Sequence, residues 1–165
     1  MKKINFAQLF LFLIVFVSTC IIFGCKDNNT TDIIKEPYKE KQEQIAKTID
    51  DIFKAGKSKD LKKLEAYHLN SPKFTKFEAG SPTRLNYDEN TQGEAGAFSA
   101  AEEFNYKIND LKVDVFENVG IATFTFAFDA KMQGARFADT SHCTLVFIES
   151  DNQWKITHEH FSKAK

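Results

Sequence analysis

LKVDVFENVGIATFTFAFDAKMQGARFADTSHCTLVFIESDNQWKITHEHF, residues 111–161, is the stretch on which the fold turns. Leu111, Val113 and Val115 alternate with Lys112, Asp114 and Phe116, the period of a strand with one face buried. Ile121 to Lys131 reads as a longer strand rich in Thr and Phe. Arg136 to Glu149 reads as a third, and Trp154 to Phe161 as a fourth. Between them, Glu117-Asn118-Val119-Gly120, Gln133-Gly134 and Ser150-Asp151-Asn152-Gln153 have the residue types that tolerate tight hairpin turns. Connections this short join antiparallel neighbours, so the four strands form a meander.

Upstream the apolar period lengthens from 2 to about 3.6. From Tyr38 to about Ala55, Ile45, Ile49, Ile52 and Phe53 recur at helical spacing, and Gly56 reads as the stop. Ser58 can cap a shorter helix with Leu61, Leu64 and Tyr67 on one face. Ser71 to Phe77 is a short extended or turning piece carrying Phe74 and Phe77. Residues 80–92 read as a polar loop, and Gly93 to about Lys107 as a third helix with Ala97, Phe98, Ala101 and Phe104. Helices followed by a meander predict an α+β domain, the helices packed on one face of an antiparallel sheet of four or more strands.

The first 37 residues have a different character. Lys2 and Lys3 precede an apolar run from Leu9 to Phe23, about 15 residues, short of the roughly 20 that span a bilayer. The run ends in Ile22-Phe23-Gly24-Cys25, which resembles the lipobox of bacterial lipoproteins. That resemblance implies a signal peptide at 1–24, acylation of Cys25 and a membrane-lipid partner, each buried acyl methylene contributing about 0.8 kcal/mol. Residues 25–37 form the lipidated cysteine and a polar tether, of which the ten or so residues from Lys26 to about Glu36 reach roughly 35 Å when extended, and 38–165 form the domain. The expected location is the bacterial cell envelope, on the outer side of the inner membrane or in the outer membrane. Cys25-Lys26-Asp27 also resembles the surface-export signal of some Bacteroidetes lipoproteins.

Cleavage before Cys25 removes two lysines and no acid. It leaves 20 basic and 23 acidic side chains, a net of −3. No basic stripe of the kind nucleic acid requires is present. Cys143 would then be the lone thiol beyond the lipid site, so no internal disulfide forms. Its setting in a strand reads as a small buried hydrophobe.

Two patches resemble a known family. Ala55 to Leu64 (AGKSKDLKKL) resembles the link between the first two helices of SnoaL-like and other nuclear transport factor 2-like domains. Asp151 to Ser162 (DNQWKITHEHFS) resembles the last hairpin of the SnoaL-like branch. The likeness covers roughly residues 41–162. It implies a cone, in which a bent sheet wraps a pocket and helices close the narrow side. It also implies a homodimer through the open sheet face. The family includes isomerases, cyclases, dehydratases and non-catalytic modules, so fold alone does not give chemistry.

Strand alternation puts Trp154, Ile156, His158, His160 and Ser162 on one face. It puts Arg136, Ala138, Thr140, His142, Thr144 and Val146 on one face of the preceding strand. In the family the tryptophan face points into the cone, which makes His158 and His160 the first pocket candidates. Trp154 is then a wall, and His142, Phe77, Phe98 and Glu102 are further ligand-binding candidates. The histidines could satisfy buried groups, orient a ligand, or bind a metal with His142 or Glu102 as third partner. Glu102, Asp129 and Asp139 are candidate bases, and no catalytic set is recognised. No cofactor is expected. The leading expectation is a membrane-anchored domain binding a small apolar or amphipathic ligand. An isomerase- or dehydratase-like or metal-assisted enzyme using His158, His160 and a carboxylate is the alternative, and a structural dimerisation module the third.

Overall fold

The computed structural model describes residues 32–164. The lipobox and Cys25 lie outside the described residues. Every element below belongs to one compact unit, Ile33–Lys165.

Helix α1, Lys39–Ser58, buries Ile45, Ile49, Ile52 and Phe53 along one face. Each such side chain contributes about 1.5–3 kcal/mol on leaving water. The helix runs through Gly56, which is therefore not its stop. It ends where Lys59 turns left-handed (φ 60°) and its N–H returns to the carbonyls of Ala55 and Gly56. Two glycines are needed for close approach rather than for turning. A Cβ on Gly120 would strike Ile45, and one on Gly56 would stand 2.5 Å from the Phe98 ring.

Helix α2, Leu61–Ala66, is capped by Asp60, not Ser58: the Asp60 carboxylate accepts from Lys63 N–H at 3.1 Å. Strand β1, Thr75–Phe77, follows. Helix α3 spans Tyr87–Ala100 and begins inside the stretch that reads as loop. A capping box explains the earlier start, since Asn86 accepts from Glu89 N–H and Glu89 accepts from Asn86 N–H. The same helix stops well before Lys107. From Ala101 the chain is already strand, because Phe104, Tyr106 and Ile108 alternate with polar residues.

Strands β2 (Ala101–Phe116), β3 (Val119–Met132), β4 (Ala135–Ser150) and β5 (Gln153–Lys163) form the expected antiparallel meander. Gln133-Gly134 and Asp151-Asn152 carry the paired positive φ of tight turns. The short β1 adds a fifth strand, parallel to β5, giving the order β1-β5-β4-β3-β2. Register shifts in β2 and between β4 and β5 bend this sheet around the helices. The core lies in the hollow, where Phe53 stacks on Phe126 at 4.6 Å and meets Phe124 edge-on. Phe124 and Phe126 are thus core, with Phe128 stacked at their end.

Candidate functional site

One irregularity in β5 decides which side chains enter the hollow. Val146 pairs with His158 but Phe147 pairs with Ile156, so Thr157 is an extra residue on the β5 side. Beyond this bulge the alternation is inverted. Trp154 and Ile156 are buried, and so is Glu159, whereas His158 and His160 face outward. The shared face expected for Trp154, His158 and His160 is corrected accordingly: a period of 2 cannot survive an inserted residue.

The parallel pairing of β1 and β5 then sets Lys76 beside Glu159. Both backbone groups of Lys76 are tied to Leu85 on its other side, at 3.0 and 2.9 Å. His68 follows α2 at the point where the chain runs along β5, with Leu69 N–H donating to the Ile156 carbonyl at 2.8 Å. From α3, Asn90, Glu94 and Phe98 descend at four-residue intervals on one helical face. His68, Lys76, Asn90 and Glu159 are each at most 5% exposed, and the Glu94 side chain is 18% exposed.

The Lys76 ammonium is the hub. It donates to Asn90 Oδ1 at 2.8 Å and to Glu94 Oε1 at 3.2 Å, and forms an ion pair with Glu159 Oε2 at 3.0 Å. Its Nζ also lies 5.4 Å from the centre of the Phe161 ring. His68 Nδ1 lies 3.1 Å from the Leu64 carbonyl and Nε2 lies 2.9 Å from Glu159 Oε1. The charged ring donates to both. Burial opposes that charge, but the Glu159 carboxylate outweighs it and raises the histidine pKa. Lys76 follows the same pattern, burial opposed and overcome by Glu159 and Glu94. For Glu159 burial raises the carboxyl, but Lys76 and His68 prevail and hold it at about 2. Glu94 is the exception. Burial and the neighbouring Glu159 charge push its pKa up.

Among the described residues, Asn90 Nδ2 and Glu94 Oε2 are buried without a hydrogen-bond partner, and Glu159 Oε2 has only its ion pair with Lys76. Glu94 and Glu159 line an interior cavity of about 40 Å³ whose walls include Ile52, Phe53, Phe98 and Phe161. This holds about two or three water-sized groups. Glu94 also lines an outer groove of about 160 Å³ between α2 and α3, so its carboxyl stands between the surface and the interior.

Ligand atoms of His68, Glu94 and Glu159 come within 4.8 Å of one another, the spacing a metal ion would need. The Lys76 ammonium stands against both carboxylates, where it opposes the entry of a second cation.

The residues picked out in sequence are dispersed. Phe98 reaches the cavity, its ring edge-on to Phe104 at 5.1 Å. Trp154 is core, its indole N–H donating to Gln44 at 3.1 Å. His158 Nδ1 bonds Thr75 at 2.8 Å on the outer face, and Phe77 stands between His158 and His160 there. His142 shares that outer face, paired with Ser162. Glu102 is on β2 rather than on a helix, bonded to Gly134 N–H and Lys131 at the exposed hairpin end. Asp129 is taken by Arg136 at 2.6 Å, and Asp139 accepts from Thr140 N–H. Cys143 is buried, and burial raises its thiol pKa.

Residues 45–164 match a family described as the SnoaL-like domain. Comparison with curated proteins returns no match. Among solved structures, the chain is similar to a candidate dehydratase of the NTF2-like family from Streptomyces avermitilis. That likeness has a TM-score of 0.71 and 18% identity, covering 78% of this chain and 99% of the other. An NTF2-like superfamily protein from Salmonella enterica superposes with a TM-score of 0.70 at 16% identity, covering 78% and 94%. A candidate scytalone dehydratase from Novosphingobium aromaticivorans gives 0.70 at 10% identity, covering 78% and 87%. At these identities the likeness is one of fold.

Proposed function

The chain belongs to the SnoaL-like family, and from that premise we propose a lipid-anchored domain of the bacterial cell envelope that binds a small neutral amphipathic ligand behind α3 and exchanges a proton with it through Glu94. The observation that carries this reading is Glu94 itself. Its carboxyl has a raised pKa, one buried oxygen without a partner, and access to both the interior cavity and the outer groove. A carboxyl of that kind keeps its proton to higher pH than a free one and can give it up inside an apolar enclosure.

The rest of the cluster fixes the ligand's chemistry. The protons of Lys76 face Asn90, Glu94 and Glu159, and those of His68 face Leu64 and Glu159. What is left to a ligand in the cavity is carboxyl oxygen. A hydroxyl can donate to that oxygen, and a carbonyl can accept from protonated Glu94. Both would be carried on an apolar frame against Phe98 and Phe161. Dehydration or isomerisation of such a compound fits, and two structural neighbours are named as candidate dehydratases. Admission of anything larger than a few waters requires Phe98 to leave its place over Gly56.

The test is carbon NMR of the full chain in a neutral detergent, with glutamate labelled at Cδ. Glu94, assigned by loss of its signal in Glu94→Gln, should titrate above the ordinary carboxylate range and shift saturably on addition of 2-naphthol. A Glu94 that titrates normally and ignores the probe sinks the reading. A second reading, a structural dimer joined through the outer sheet face, draws support from the small size of the cavity. Native mass spectrometry giving a ligand-free dimer, together with a silent Glu94, would favour it.

A further inference from the structure

Outside the cone, one face of α1, one face of α2 and the β4–β5 turn enclose a groove of about 420 Å³. The interior cavity measures about 40 Å³. The charged groups of the groove are Lys47, Lys63 and Lys155, and no carboxylate lines it. With Lys47 matched by Asp51 at its edge, the groove has a local excess of two cations in a chain with 22 basic and 23 acidic residues. Two of the three are placed by bonds. Lys155 donates to the Ala66 carbonyl at the end of α2, and Lys47 pairs with Asp51. Asp51 also feels Lys63 and Lys54, the latter paired with Asp50.

The floor is built as well as charged. Trp154 is 5% exposed and its N–H engages the Gln44 carbonyl oxygen, which leaves the Gln44 amide N–H₂ as a further donor at the rim. Tyr67 supplies ring surface beside it. Several donors over an aromatic floor suit an anion carrying a ring or a polyol. Lysines, as compact point charges, suit phosphate in particular.

We propose that this groove binds a phosphate-bearing ligand, the phosphate held among Lys47, Lys63 and Lys155 and the attached group resting on Tyr67. The phosphate could belong to a soluble sugar phosphate or to the headgroup of an anionic lipid. The site is independent of the interior cluster.

Trp154 is the single tryptophan, so its emission reports on the groove directly. The full chain in dodecyl maltoside is titrated with glucose 6-phosphate, with glucose as the uncharged control, and separately mixed with phosphatidylcholine vesicles with and without phosphatidate. A saturable change at or below about 10 mM sugar phosphate, or one requiring phosphatidate, supports the site and identifies the source. Lys63→Gln, an exposed change, should weaken that response about tenfold, and Lys47→Gln likewise. Glu94→Gln should leave it intact. Silence towards both phosphate probes overturns the proposal, as does a response that glucose shares or that Lys63→Gln and Lys47→Gln leave unchanged.

Discussion

Glu159 lies between two buried cations, and replacing it by Gln removes their shared ionised partner, leaving Glu94 at 3.2 Å from Lys76 and 3.6 Å from His68 as the acid nearest to both. Breaking a buried pair in this way costs about 3–5 kcal/mol, so Glu159→Gln should show a sharply lowered denaturation midpoint at pH 7. The pH dependence has a definite sign. Glu159 ionises at about 2 in the folded state against 4.5 for the free side chain. Its stabilisation is complete above the latter value and is lost as pH falls towards the former, a contribution of about 3 kcal/mol. The variant should lose that slope between pH 4.5 and 2, and denaturant titrations at several pH values would expose a slope that persists. At this scale the sequence was only partly legible. Glu159 sits between His158 and His160, the residues that drew attention, and nothing short of the bulge says which of the three turns inward. Lys76 shares a face with buried Phe74 at i, i+2, a pattern that was there to be read. His68, Asn90 and Glu94 carry no spacing signal of their own.

Helix α3 differs from α1 in what holds it. Asn90 is its one buried residue, and its contacts with the body run through Lys76, through Tyr87 bonded to Glu65 at 3.0 Å, and through Phe98 lying over Gly56. Gly56→Ala sets two effects against each other. Alanine is favoured over glycine in a helix by about 1 kcal/mol, while its methyl would drive the Phe98 ring away. Global stability should therefore change little, while amide hydrogen exchange in α3 quickens and that in the first half of α1 stays as it was. Unaltered exchange in α3 would show that Phe98 does not hold the helix. The elements were read in sequence in proportion to how far local patterning determined them. The long amphipathic α1 and the hairpin turns were legible. The start of α3 was not, because a capping box in a polar stretch resembles a loop. Neither was the start of β2, because Ala97, Phe98, Ala101 and Phe104 mimic a helical face across the boundary.

The described residues form a domain whose helices close one side of a curved sheet, and no helix among them is long and apolar enough to cross a membrane. In the proposed function, acylation of Cys25 supplies the attachment. Cys25→Ala should abolish incorporation of an alkynyl fatty acid in cells and leave the chain unprocessed, and persistent labelling would overturn the anchor. The overall architecture was the most legible level, since helix-then-meander order constrains topology without any register being known. Register is where the chemistry lies. Were Thr157 to take its turn in a regular alternation, with no bulge, His158 and His160 would face inward with Ile156, and Glu159 outward, with no side chain substituted. Reading frame along the strand, and not composition, thus selects between a carboxylate interior and an imidazole one.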